Sequence, residues 1–335
     1  MLSGYAFPPV YAAYLALSLS IAQPASAPAA KEAQPGPQTE VIVRAPPPTP
    51  KMIQEQTSRF VESYAAAPNP NIDQIGRWYD PVCVRVLGMP AADQASKIKA
   101  RIESVAQSVG LPGAPSGCRA NVEIVFTDQP QGAMDFVAKR REAIMGYHHA
   151  LTRQLKTVTH PIQAWYVTST RSDGIDNAVL TFSGISASSQ QADGEVIDDP
   201  QNMAPTGCIG RLSSCYTSEF TNVFIVADSK ALDGRPLGAI ADDMVMLALS
   251  QPRSLDRCNA LSSVIDQFAK SPCPGRDPPD GLTAADAAYL TALYSADLGS
   301  NKTFEQADIA RRMAKILIGA SASAEIGARS ADSRP

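Results

Sequence analysis

The chain has 335 residues, 44% hydrophobic and 19% charged, with a formal net charge of -4 and a pI near 5.5. That length and apolar fraction supply one sizeable core. The mild acidity excludes a phosphate-backbone binder, because such affinity comes from clustered cations that release counterions, and the densest basic run, Lys139-Arg140-Arg141, falls on an amphipathic helix as a solvated face.

Val10 to Ala22 is uncharged and apolar. It is too short for a membrane span of about 20 residues but has the length of a signal h-region. Ser20 and Ala22 put small residues at cleavage spacing, so residues 1–22 read as a signal peptide cut after Ala22, giving a periplasmic or secreted protein with no membrane span in the mature chain. Ala25-Ser26-Ala27 is a second cleavage candidate, weakened by Pro28. Residues 23–50 are rich in Pro, Ala and Gln and read as a disordered linker.

From residue 51 the pattern becomes that of an ordered domain. Ile53, Phe60, Val61 and Tyr64 share a helical face, which stops at Pro68-Asn69-Pro70. Val82 to Leu87 alternates like a strand; Lys97 to Val109 reads as a helix ending at Gly110; Val122 to Phe126 reads as a second strand. Gly132 to His149 is a further amphipathic helix. Trp165 to Thr170, Ala178 to Phe182 and Val223 to Ala227 are β-prone, and the polar stretch 183–214 reads as a long loop. The helix 238–249 follows, apolar on every face except for Asp242 and Asp243, as expected of a helix buried in a core. Two closing helices carry capping boxes, Thr283 with Asp286 and Thr303 with Gln306. The expected fold is a single α+β domain over 51–317, a mixed sheet with flanking helices, followed by a disordered tail at 318–335.

Six cysteines in an exported chain point to disulfides. Chain order suggests Cys83 with Cys118, Cys208 with Cys215 and Cys258 with Cys273, although six cysteines can pair in many ways. The first pairing would join the beginnings of two neighbouring strands.

Phosphate-cradling glycine motifs and the GxSxG elbow are absent. The three histidines are His148, His149 and His160. Adjacent residues on a helix point about 100° apart, so His148 and His149 do not readily share one ion, and His160 before Pro161 reads as a turn residue. No metal or cofactor is expected. Asp242 and Asp243 admit three roles: an acid and base pair, part of a cation site, or structural carboxylates bonded to the backbone that packs over them.

The residues 242–246 (DDMVM) followed by Leu249-Ser250, then 258–268 (CNALSSVIDQF), then 281–298 with its Leu-Thr-x-x-Asp opening and Leu-Tyr, carry a resemblance. Arg77-Trp78 and Ala120-Asn121 add to it. Together they resemble an uncharacterised family of proteobacterial exported proteins related to the zincin metallopeptidases, across most of residues 75 to 300. The resemblance implies a zincin-like scaffold with a buried central helix at 238–249. Zincin chemistry needs two imidazoles a helical turn apart and a glutamate beside the first. Asp242, Asp243 and Met246 stand in those places, so the resemblance implies a scaffold that has lost its zinc site. The expectation is a non-catalytic envelope binding or accessory protein, with a cell-envelope protein as partner and Asp242, Asp243, Met246 and Asp266 as binding residues; the alternative is a hydrolase rebuilt around Asp242 and Asp243.

Overall fold

Pro50 opens the first helix, α1 (Pro50–Tyr64), at a position where its missing N–H costs nothing, and the Thr49 hydroxyl accepts from the Met52 amide. The computed structural model to which α1 belongs describes residues 48–66, 73–141, 143, 156–172, 179–180, 216–256, 258–271 and 273–332. Residues 1–47, His148, His149 and the Cys208–Cys215 pairing lie outside the described residues.

The sheet has five strands in the order β1-β2-β5-β3-β4: β1 (Val84–Leu87), β2 (Val122–Thr127), β3 (Ile162–Ser172), β4 (Val179–Leu180) and β5 (Tyr216–Asp228). β1 and β2 are parallel, and such a pair needs a crossover, which α2 (Ala92–Ser108) supplies. Gly110, at φ 100, is the left-handed residue expected just past that helix. At the far end of β1, Gly88 has φ 79, and a Cβ there would stand 2.0 Å from the Phe126 carbonyl oxygen, so β1 passes β2 as closely as only glycine allows. The Cys83–Cys118 bridge ties the start of β1 to the loop before β2, as the chain order suggests. β5 runs parallel to β2 and antiparallel to β3, so the sheet is mixed and the α+β reading holds.

Alternation along the strands sorts two apolar faces. Val122, Ile124, Ile162, Val223 and Ile225 point into the main core, with the helical layer. Trp165, Phe224 and Val226 point the other way, against Met134 and Val137 of α3 (Pro130–Arg140). On that second face Glu123 is buried between Arg85, its register partner on β1, and Arg141. Its own burial raises its pKa, but the two guanidinium groups outweigh that and hold it below the ordinary carboxylate value. Arg141, which makes this contact, is the C-cap of α3 and lies outside helical geometry; the rest of the helix expected as far as His149 falls outside the described residues.

After β5 come α4 (Leu237–Leu249), a 3-10 turn at Val264–Phe268, α5 (Ala284–Ser295) and α6 (Lys302–Asp332). The Thr283–Asp286 capping box forms as read. The Thr303–Gln306 box does not. Asn301 takes the cap, its side chain accepting from the Phe304 amide at 3.2 Å, and α6 begins at Lys302 with Thr303 already inside its first turn. α6 runs past Leu317, the expected end of the domain, to Asp332.

Candidate functional site

Every residue of α4 from Ala239 to Leu249 is buried. A helix in that position cannot leave its last carbonyls to water, so other groups must pair them. Met246 O accepts from the Ser250 amide at 3.0 Å and hydroxyl at 2.8 Å. Leu247 O takes the Tyr166 hydroxyl at 2.8 Å, Ala248 O the Trp78 indole N–H at 2.7 Å, and Leu249 O the Tyr294 hydroxyl at 2.8 Å. Three aromatic side chains from β3, the segment before β1 and α5 thus close one helix end.

The two acids of α4 diverge, as adjacent helical positions must. Asp242 faces α2: its Oδ1 takes the Arg101 guanidinium at 2.5 Å, and its Oδ2 takes the Leu282 amide at 2.8 Å. This is the structural role weighed for it from sequence. Asp243 turns inward, 2% exposed, with no hydrogen-bond partner for Oδ2 among the described residues. Burial drives its pKa well above the carboxylate range, and the neighbouring Asp286 charge pushes it further.

Met246 is fully buried in the main core and offers no surface to a partner. Asp266 sits in the 3-10 turn and accepts from the Ser263 amide and the Tyr64 hydroxyl, each at 3.1 Å. The four residues expected to form one binding site therefore point to different neighbours: Asp242 to α2, Asp243 inward, Met246 into the core, and Asp266 towards α1.

Asp286 is the member that the sequence did not single out beyond its capping role. It is 0% exposed, yet it accepts from the Ser263 hydroxyl at 2.6 Å, the Val264 amide at 2.9 Å, and both the amide and the hydroxyl of Thr283 at 3.0 and 2.9 Å. Burial raises its pKa, and these donors work against the rise. Tyr64 and Tyr289 extend the network: the Tyr289 hydroxyl donates to Tyr64 O at 2.8 Å, and burial raises both phenols above 10.

His160 lies elsewhere. Its Nε2 is 2.9 Å from Asp256, and its Nδ1 is 2.9 Å from the Thr159 hydroxyl, so it links the start of β3 to the loop after α4. Among the described residues no three His, Cys, Asp or Glu side chains converge as an ion would need. The Asp286 oxygens already hold four donors, a poor fit to a cation.

Fold and site together define a mixed α+β protein organised around a buried helix, with Asp242 bonded to Arg101 and the Leu282 amide and Asp243 turned inward. No family model, curated protein or solved structure matches the chain.

Proposed function

We propose that this is an exported, non-catalytic binding or accessory protein of the cell envelope, built on a zincin-like scaffold that has lost its metal site. The observation that carries this reading is the state of the central helix. Met246 is wholly buried, Asp242 is spent on Arg101 and Leu282, and Asp243 has 2% exposure, so no substrate meets these groups in the folded protein. The bridges Cys83–Cys118 and Cys258–Cys273 suit an oxidising compartment, and no helix among the described residues is long and apolar enough to cross a membrane.

The test is the metal content of the oxidised protein and its melting temperature with and without chelator, followed by cross-linking in envelope fractions. The expected result is a metal-free protein indifferent to chelator, with a discrete cross-linked partner. About one equivalent of zinc or calcium, lost with a fall in stability, would overturn the proposal.

A second reading has one observation behind it. A carboxyl held protonated beside another carboxylate and the Tyr166 phenol is what a general acid requires, and Asp243 has those neighbours. Hydrolysis of glycan or peptide substrates that Asp243→Asn abolishes, without loss of melting temperature, would move the protein into that class.

A further inference from the structure

Ahead of the start of β2, β5 has a different neighbour. Arg77 is the register partner of Glu219 there; the Phe220 amide donates to Arg77 O at 2.9 Å and the Arg77 amide to Ser218 O at 3.4 Å. On the other side of β5, Ser169 of β3 is the partner of Glu219, and Arg171 is the partner of Thr217. Register partners, and residues two apart on one strand, project from the same face of a sheet. Arg77, Glu219, Thr217, Ser169 and Arg171 therefore share one face at this end.

Two guanidinium groups meet one ring on that face. The Arg77 guanidinium carbon lies 4.8 Å from the centre of the Tyr79 ring and that of Arg171 5.2 Å from it. Arg77 spends Nη1 on Leu293 O and Ala296 O at the end of α5, both at 2.9 Å, while its Nε and Nη2 have no hydrogen-bond acceptor among the described residues. Arg171 has a Glu219 carboxylate oxygen at 3.8 Å, beyond a direct hydrogen bond, and keeps 38% of its side chain exposed. Glu219 itself accepts from the Ser169 hydroxyl at 2.8 Å. The acid on α6, Glu305, takes no donor from Arg77, because its two oxygens hold the Ile75, Gly299 and Ser300 amides.

Thr217 adds an independent observation. It is 3% exposed, and its hydroxyl has no hydrogen-bond partner among the described residues. Buried hydroxyls are rarely left so, because an unpaired one has lost its water and gained nothing. Its register partner is a guanidinium, which can only donate, so the group missing between them is an acceptor.

We propose that this face binds a small oxyanion, the carboxylate or phosphate group of a ligand, held by the guanidinium groups of Arg77 and Arg171 with the Thr217 hydroxyl as a further donor. The planar fork of a guanidinium matches the paired oxygens of either group, and the Tyr79 ring keeps water from one side of each cation. The site is separate from the acids of α4, and it stands whether or not those acids take part in any chemistry.

Titration calorimetry of the full oxidised protein with inorganic phosphate and with acetate, at an ionic strength held constant by sodium chloride, tests the proposal. The expected result is saturable one-to-one binding of at least one of them, half complete at about millimolar concentration or below, and weakened about tenfold or more in Arg171→Gln. Phosphate binding without acetate binding assigns the site to phosphate groups, and the reverse assigns it to carboxylates. Thr217→Val is expected to weaken binding about threefold or more while leaving the melting temperature of the anion-free protein level or higher, since a hydroxyl that bonds nothing has no bond to lose. A hydroxyl already served inside the fold would instead give a lower melting temperature and unchanged binding. That outcome, the absence of saturable heat with both anions, or binding that survives both substitutions (an adventitious ion only), overturns the proposal. Should neither variant fold, nitrogen-15 spectra of the wild-type guanidinium groups decide: two arginine signals must shift with a common saturation midpoint, and the site is refuted if none does.

Discussion

Asp242 and Gly281 are fitted to each other. A Cβ on residue 281 would lie 2.8 Å from Asp242 Oδ2, the oxygen that receives the Leu282 amide. Gly281→Ala must displace that carboxylate, with an expected loss of about 1–3 kcal/mol in urea unfolding. Arg101 is 44% exposed on its side chain, so solvent screens its pair with Asp242, and Arg101→Met is expected to cost no more than about 1 kcal/mol. A larger loss for Arg101→Met than for Gly281→Ala would show that the ion pair, not the backbone acceptor, carries the contact. At this scale the sequence was partly legible. Two acids on an otherwise apolar helix announced a buried charge, and their adjacency announced divergence. Asp286 stayed hidden because its capping box explained it fully in local terms, and nothing local shows that Ser263 donates to it from across a loop.

At the scale of elements, the C-terminal end of α4 depends on distant side chains. Trp78→Phe would leave Ala248 O unpaired in the core, an expected loss of about 1–3 kcal/mol, and Tyr294→Phe would do the same at Leu249 O. Both deletions act on one helix end, so the double variant should fall short of the sum, measurable by a double-mutant cycle. The disulfides act on the unfolded chain. In the chain-entropy picture the bridge spanning 15 residues contributes about 3 kcal/mol and the one spanning 35 about 4, so Cys83→Ala with Cys118→Ala is expected to lower the urea midpoint more than Cys258→Ala with Cys273→Ala. Element types were legible from periodicity, whereas their ends were not. Among the described residues α3 ends at Arg140, where Arg141 pairs with Glu123 of β2, and α6 starts at Lys302, where Asn301 rather than Thr303 is the cap.

For the whole molecule the buried ionisable groups set a stability profile in pH. Burial raises the carboxyls of Asp243, Asp266, Asp286 and Glu305, so their contribution is full below about 4 and declines as pH rises through their folded values. Glu123, Asp256 and Asp308, desolvated but held by cations and donors, are lowered; theirs is present above about 4 and lost as pH falls. The melting temperature is therefore expected to peak on the mildly acid side of neutrality, and a maximum above pH 8 would contradict this balance. The phenols of Tyr64, Tyr166, Tyr289 and Tyr294 are raised by burial, so the fold keeps them protonated where an unfolded chain ionises them at about 10. Stability should fall steeply above that pH, and their phenolate absorbance should appear together with loss of circular dichroism. Ionisation ahead of unfolding would mean that these hydroxyls are open to solvent.

The strand order has a temporal consequence. β5 stands between β2 and β3, pairing Val122 with Val223 on one side and Trp165 with Phe224 on the other. A chain emerging from its N-terminus has made β1, β2 and β3 well before the strand that joins them exists. Until Tyr216–Asp228 arrives, β2 and β3 present open hydrogen-bonding edges lined by Ile124 and Trp165. Assembly is thus governed by long-range contacts and is slow, leaving a partly made chain exposed to aggregation until β5 is in place.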